Sequence, residues 1–312
     1  ICNDYKLNDQ FDLIYTPYQL FDTHNLFMIN RSAMKFVIGM LDIITVRCNY
    51  LHKPILRTLF ENVLKYADGI IMNSNNVSQD IKSFFPYIEP AELQLSQTIY
   101  ITKDKKLLGS KLTFSEKNLL KRLPNNFIFI VGNEHEHKSL KITKQNLDDR
   151  FSTVILGSAE TEPVDWNGQH WNLKSGQFSD EFVDALYDEC SIVIFPSQYE
   201  GFGLPILSAV LFQKPIILFD SETNREVTKH FNIDRLVYFF SDFEEINDLI
   251  FNAVCKIKYP TINRDWRDVA KETMEFMENV MAQPIDFKAL NGRFAALRQM
   301  EYLFKEPLKN SF

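Results

Sequence analysis

The stretch Phe195-Pro-Ser-Gln-Tyr-Glu-Gly-Phe-Gly-Leu-Pro-Ile-Leu-Ser-Ala-Val210 decides how this chain reads. The apolar run 192–195 ahead of it has the length of a buried strand, and from about Pro205 onward the residues suit a helix with proline in its first turn. Between strand and helix stand one acid, Glu200, and two glycines, Gly201 and Gly203. Glycine is scarce, 10 residues against 27 Phe in a chain of 312, so a close pair marks a place that needs special backbone geometry. Glycines entering a helix N-terminus let backbone N–H groups approach a ligand closely, which favours an anion.

Working outward, short apolar runs alternate with longer helical patterns. Strands are expected at 13–15, 36–38, 69–72, 127–131, 153–156, 192–195 and 215–218, and helices at 54–66, 77–84, 179–187, 205–211, 243–256 and 265–281. The alternation predicts βαβ units with parallel sheets. A chain of 312 residues suffices for two domains, each with its own core. The polar, lysine-rich stretch 102–122, ending in Leu123-Pro-Asn-Asn, reads as the linker. The domains are therefore expected at 1–110 and 111–281. A C-terminal extension, 282–312, carries the amphipathic stripe Phe287, Leu290, Phe294, Leu297, Tyr302/Leu303 and is expected to pack back on the first domain.

Composition excludes several classes. With 45% hydrophobic and 24% charged residues the chain is of ordinary globular type. A net charge of -7 with no long Lys/Arg block argues against nucleic acid as a partner. The longest apolar run, 36–46, is broken by Asp42 and too short to span a bilayer. Cys2, Cys48, Cys190 and Cys255 form no CxxC pair and, like the histidines, show no metal-ligand spacing; they read as reduced thiols of a cytoplasmic protein.

The segment 195–210 resembles the donor-binding signature of the family 4 glycosyltransferases, P-S-x-x-E-G-F-G-L-P-x-x-E-A. The resemblance extends in order over about 127–281. Phe127-Ile-Phe-Ile-Val-Gly132 followed by Lys138 is similar to the family's G-x5-K. Trp171 to Gly176 with Phe178-Ser-Asp-Glu-Phe-Val-Asp-Ala-Leu-Tyr187 is similar to its nucleobase-side loop and helix. Lys214-Pro-Ile-Ile, Glu226 and Asp265-Trp-Arg-Asp-Val-Ala270 resemble its later segments. The first hundred residues match less closely, through Asp12 to Pro17, Val37 to Asp42 and Ala67 to Ser74.

The resemblance implies an α/β protein of GT-B fold, two Rossmann-like domains with parallel sheets, and a retaining, metal-independent hexosyltransferase. A nucleotide-diphosphate sugar would be its substrate, a glycan or lipid-linked molecule its acceptor, and bacterial surface polysaccharide synthesis its setting. No cofactor is implied. Implied donor-binding residues are Gly132, Asn133, His137, Lys138, Gly176, Glu200, Gly201, Phe202, Gly203, Leu204 and Ser208. Lys138 would neutralise the diphosphate, and Glu200 would hold the sugar hydroxyls; Asp42 joins them as a candidate catalytic residue. By themselves, a lysine after a strand is ordinarily solvated and a glutamate before a helix can simply cap it.

Three positions depart from the family pattern. Ser208 replaces the second glutamate, which holds the ribose, and can offer one hydrogen bond but no charge. Leu41 replaces the histidine of a His-Asp pair. Asn133 and His137 stand where many relatives have arginine, and His137 is a group that partial charge near a diphosphate would suit. These favour the alternative of a degenerate GT-B copy serving as a binding or scaffolding module.

The segments that match the first domain cover only the second half of the family's acceptor domain. The resulting half-sheet would expose an unpaired edge, so the chain is expected to be joined to further N-terminal sequence or domains. The expected location is the cytoplasm, with peripheral contact at the inner face of the membrane.

Overall fold

The computed structural model describes residues 10–88, 95–104, 112–158, 164–166, 169–253 and 258–303. Cys2, Cys255 and the ends of the expected 243–256 helix and C-terminal extension lie outside these residues. The chain divides into two compact units, Ile1–Ile101 with Arg267–Phe312, and Thr102–Trp266.

The first unit runs β1 (Phe11–Thr16), α1 (Thr23–Ser32), β2 (Ala33–Met40), α2 (Ile44–Arg47), α3 (Pro54–Tyr66), β3 (Gly69–Met72), α4 (Asn75–Phe84) and β4 (Ser96–Thr98). The strands form one parallel sheet in the order β1-β2-β3-β4. The apolar period identified parts of the first three; Ser-Gln-Thr of β4 has no such period and pairs because Met72 and its neighbours offer a ladder. Among the described residues β1 pairs with β2 alone. Alternation along β2 divides the core. Phe36, Ile38 and Met40 pack with residues of α1, α3 and α4, while Val37 packs with Ile71 and Ile99 on the opposite face.

That opposite face is covered from the far end of the sequence. Two more helices, Trp266–Ala282 and Phe287–Leu303, follow the second unit's elements in the chain. Val269, Phe276 and Val280 of the first complete the Val37 cluster. Lys35, only 4% exposed, donates through Nζ to the carbonyls of Val280 at 2.6 Å, Met281 and Gln283. A cation on the last carbonyls of a helix satisfies acceptors that have no intrahelical partner and complements the helix dipole. Residues 267–281, expected in the second domain, therefore group with the first unit. The helix Phe287–Leu303 packs on α1 and α3. Its buried Arg293 reaches Asp68 Oδ2 at 3.5 Å and the Met34 carbonyl at 3.4 Å.

The second unit begins with α5 (Phe114–Arg122), inside the stretch read as linker. Thr113 and Glu116 form a capping box. Glu116 also accepts from Ser179 N and Oγ, both at 2.8 Å, and these hydrogen bonds hold its pKa down at about 2 against the burial that raises it. The polar composition concealed a helix whose Thr-x-x-Glu signature was present. Residues 105–111 of the stretch lie outside the described residues.

Then follow β5 (Ile128–Val131), α6 (Leu140–Asn146), β6 (Thr153–Ser158), β7 (Val164–Trp166), β8 (His170–Lys174), α7 (Asp180–Glu189), β9 (Ile192–Phe195), α8 (Leu204–Leu211), β10 (Ile216–Phe219), α9 (Glu222–His230), β11 (Tyr238–Phe240) and α10 (Ile246–Asn252). The helices Trp266–Ala282 and Phe287–Leu303 are α11 and α12. The seven-stranded sheet has the order β11-β10-β9-β5-β6-β8-β7, parallel except for β7 against β8. From β5 the chain builds outward through β6 and β8, then returns to place β9 on the other side. The order reverses between β5 and β9. At such a switch point adjacent loops diverge at the carboxyl ends of the strands and leave a crevice for a ligand.

Candidate active site

The two loops at this switch point are those that follow β5 and β9, and they carry Gly132 to Lys138 and Pro196 to Gly203. Gly157 of β6 has φ +128°, and a Cβ there would stand 2.1 Å from the Gly132 carbonyl oxygen, so glycine is needed for the first loop to lie on its neighbouring strand. The loops are joined by Gln198 N donating to the His137 carbonyl at 2.8 Å and Gln198 Nε2 donating to Ser139 Oγ at 3.0 Å. At the end of the second loop Gly203 takes φ +98°, ψ 55° as the residue before α8. This left-handed conformation turns the chain from the strand into the helix, and a β-carbon would strain it.

Across the crevice Lys138 Nζ lies 2.5 Å from Glu200 Oε1. The side chains are 14% and 13% exposed. Glu200 is not a helix cap: no side chain caps α8, and its N-cap is Gly203. Thr223, in the first turn of α9, donates to the Glu200 carbonyl at 2.9 Å and steadies the backbone from behind. Residues 62 apart in sequence are thus brought together as one cation and one carboxylate beside a helix N-terminus. Residues 114–255 match the family model for glycosyl transferases group 1. The match lies wholly within the second unit.

The chain is 24% identical over 196 residues to the serotype-specific mannosyltransferase WbdA of Escherichia coli, covering 53% of this chain and 23% of that protein. It thus spans about a quarter of the length of this relative. Among solved structures it is similar to a sucrose-phosphate synthase from Thermosynechococcus elongatus (TM-score 0.57, 13% identity, covering 94% of this chain and 74% of that one). It is also similar to Anabaena HepE in complex with UDP and glucose (TM-score 0.55, 18% identity, 95% and 78%). The fold is GT-B, with parallel-sheet α/β units.

The second unit, within which that match lies, gathers most of the expected residues at its switch point. Gly132, Asn133, His137 and Lys138 lie on one loop and Glu200 to Gly203 on the other. Phe202 is buried, edge-on to Phe231 at 6.4 Å, so it anchors its loop with its ring. Leu204 opens α8 with an exposed side chain, and Pro205 after it has no N–H to give. Gly176, φ +78°, follows β8 and stands away from the reversal. Asp42 belongs to the first unit, where its carboxylate accepts from Ile44 N at 3.0 Å.

Two residues differ from expectation in their state. His137 is buried and stacks on His135 with ring centroids 5.8 Å apart. Burial first, then the charges of Lys138 and His135, lower its pKa to about 4, so in the ligand-free chain it is neutral at pH 7. Ser208 is 2% exposed. Its hydroxyl accepts from Lys103 Nζ at 2.8 Å and donates to the Leu204 carbonyl at 3.3 Å. Lys103 escaped the sequence reading altogether, because its contacts with Asp184 and Ser208 join residues 81 and 105 positions away.

A cavity of about 880 Å³ opens beside the first loop, against α6, β6 and β8; Asn133, His135 and Ser139 line it, but neither Lys138 nor Glu200 does. The charged pair belongs to the crevice rather than to this cavity. No group of three or more His, Cys, Asp or Glu side chains suited to a metal occurs among the described residues, and no described helix is long and apolar enough to cross a membrane.

Proposed function

We propose that this chain is a retaining family 4 glycosyltransferase that moves a hexose from a nucleotide-diphosphate donor to a glycan or lipid-linked acceptor. The observation that carries the reading is the Lys138–Glu200 pair at the switch point, beside the start of α8. Each group satisfies the other while no ligand competes. A nucleotide sugar exchanges that pair for two new ones, with Lys138 on the diphosphate and Glu200 on the sugar hydroxyls. The amides of Gly203 and Leu204, where the loop enters α8, add donors; Pro205 has no N–H, and Ile206 N is bonded to the Gly203 carbonyl at 3.0 Å.

The carbon–oxygen bond between the anomeric carbon and the leaving phosphate breaks, and the acceptor oxygen bonds to the same carbon from the same face. The acceptor's proton passes to the phosphate oxygen that departs. Lys138 and the amides stabilise the charge that develops on that phosphate, the type of term that dominates such transfers. Charge stabilisation from these groups supports a metal-independent reaction. The setting we assign is bacterial surface polysaccharide synthesis in the cytoplasm, peripheral to the inner face of the membrane; the mannosyltransferase relative supports it.

The alternative, a degenerate copy that binds or scaffolds, draws on Leu41 and on Ser208, which is buried and engaged by the protein itself. A single experiment separates the two. The chain is titrated by calorimetry with a panel of nucleotide sugars, and each mixture is followed for release of nucleoside diphosphate. Binding with slow hydrolysis of one donor is expected. Binding without turnover, with or without added acceptors, supports the scaffold, and no binding at all overturns both.

A further inference from the structure

The step from β6 to β8 is built differently from the others in the second unit. Two moves outward in one direction, β5 to β6 and β6 to β8, carry right-handed connections that lie on the same face of the sheet. The first connection is α6. In the second the described residues form β7, which joins the sheet antiparallel to β8 instead of covering that face. The sequence of β8 agrees with an uncovered face. Trp171 and Leu173 are buried on one side, while alternation turns His170, Asn172 and Lys174 to the other. A helix packed there would call for apolar residues instead.

The consequence is a groove. The cavity of about 880 Å³ shares Lys144, Ile155 and Asn172 with a smaller one of about 100 Å³ that reaches Thr153 and His170. Its floor holds buried polar groups. Asn172, 5% exposed, accepts from Lys144 Nζ at 3.2 Å, and Thr153, 3% exposed, shares a hydrogen bond of 2.9 Å with His170 Nδ1. Ile155 and Leu140 add apolar patches. Along the described wall of the larger cavity the carboxylates of Glu134 and Glu136 balance the ammonium groups of Lys141 and Lys144. Such a wall offers no single-sign field to concentrate an anion. Amides and hydroxyls alternating with apolar patches suit a neutral ligand that has many hydroxyls and apolar C–H faces, and the volume lies within the roughly 300–1,000 Å³ of small-molecule sites.

Resting on the glycan acceptor of the function proposed above, we infer that this groove is a second carbohydrate site, which holds a neutral oligosaccharide stretch of the glycan outside the Lys138–Glu200 crevice. Asn172 and Lys144 meet its hydroxyls from the floor, and Lys141 and Gln145 meet them from α6. The loop after β5 serves both places, with Lys138 in the crevice and Asn133 to Glu136 on the groove. A glycan held there stays on the protein while nucleotides exchange in the crevice.

The test titrates the intact chain with mannotetraose, maltotetraose and inorganic phosphate by calorimetry and saturation-transfer NMR. One of the two sugars is expected to bind, and Asn172→Leu to weaken it roughly fivefold, the loss of a hydrogen-bonding floor. Lys141→Ala combined with Gln145→Ala, both exposed on α6, should weaken it as well, so the test stands even if Asn172→Leu fails to fold. Affinity for UDP or GDP in the same variants should stay within about twofold. The inference is overturned if neither sugar binds, if the α6 double variant binds the sugar as the wild type does, or if phosphate displaces it. A concentration-dependent dimer that the double variant abolishes would give the groove to a second copy and overturn it too. Nucleotide turnover without sugar binding sinks this inference and leaves the proposed function. Sugar held in the groove without any nucleotide binding sinks the function and leaves the carbohydrate site.

Discussion

The two units use the same βαβ grammar, yet among the described residues it is the second that brings a cation and a carboxylate together at a reversal of strand order. In the second unit the strand order reverses between β5 and β9, and the loops on either side place Lys138 against Glu200. In the first unit the described strands run in simple sequence order, without a reversal, and its candidate Asp42 serves the backbone of its own loop. The difference teaches that a sheet's topology, as much as its residues, decides where chemistry collects. Loops after adjacent strands of one progression lie side by side under their own helices; only a reversal parts the helices and opens a crevice.

The largest effect should come from the reversal. Lys138→Ala is expected to lower kcat/KM by roughly 10²–10³-fold, the loss typical of a group that stabilises transition-state charge, with circular dichroism unchanged. Steady-state turnover close to that of the wild type would remove Lys138 from the mechanism and with it the contrast between the units. Glu200→Gln keeps shape and hydrogen bonding but loses charge. A drop of roughly 10–100-fold is expected, because a hydrogen bond to a charged group contributes about 1.5–3 kcal/mol. If instead the donor affinity of Glu200→Gln rises, the ion pair with Lys138 was competing with the ligand more than helping it.

The contrast can be sharpened from the other unit. Lys35→Met strips the cation from the carbonyls of Val280, Met281 and Gln283. Leaving such buried acceptors unsatisfied costs about 1–3 kcal/mol, readable as a lower denaturation midpoint. Nucleotide affinity, a property of the second unit, should stay within about twofold, less than half of the 1.4 kcal/mol that corresponds to tenfold. A parallel loss of nucleotide binding would show that the donor site depends on the first unit's integrity.

The smallest effect concerns pH. The pKa of His137 falls from 6.5 to about 4 in the folded chain, so on acidification the unfolded state binds a proton before the native state does. Its contribution to stability is present above pH 6.5 and is lost as the pH falls toward 4. His137→Gln, which cannot titrate, should therefore flatten the fall in melting temperature between those limits. A steeper fall would mean that the native state protonates His137. For the same reason, no inflection from His137 is expected in the activity profile between about pH 5.5 and 8.

Much of this arrangement was legible in the chain itself. The run from Ile192 through Gly203 into α8 depends on local requirements: a short apolar strand, a left-handed residue at Gly203, and a helix with proline in its first turn. Each is a property of neighbouring residues, so the sequence determined it. The strands at 36–38 and 69–72 were equally plain because both of their faces are covered and their apolar runs are continuous. The resemblance assigned Lys138 and Glu200 to one donor site without pairing them, and their contact needed the topology that brings β5 beside β9.

Tertiary structure alone decided the rest, because the deciding partners are distant in sequence or polar. β4 has no apolar period and exists through its ladder with β3. The helix α11 has an amphipathic pattern that would suit either unit; Lys35, 245 residues before Val280, and the cluster around Val37 draw it to the first. Ser208 read as a weakened ligand contact until its burial and the Lys103 ammonium were seen. His137 read as a partial cation until burial made it neutral. Local backbone chemistry is written in adjacent residues, whereas burial, charge state and the choice of partner depend on what the fold brings within a few ångströms.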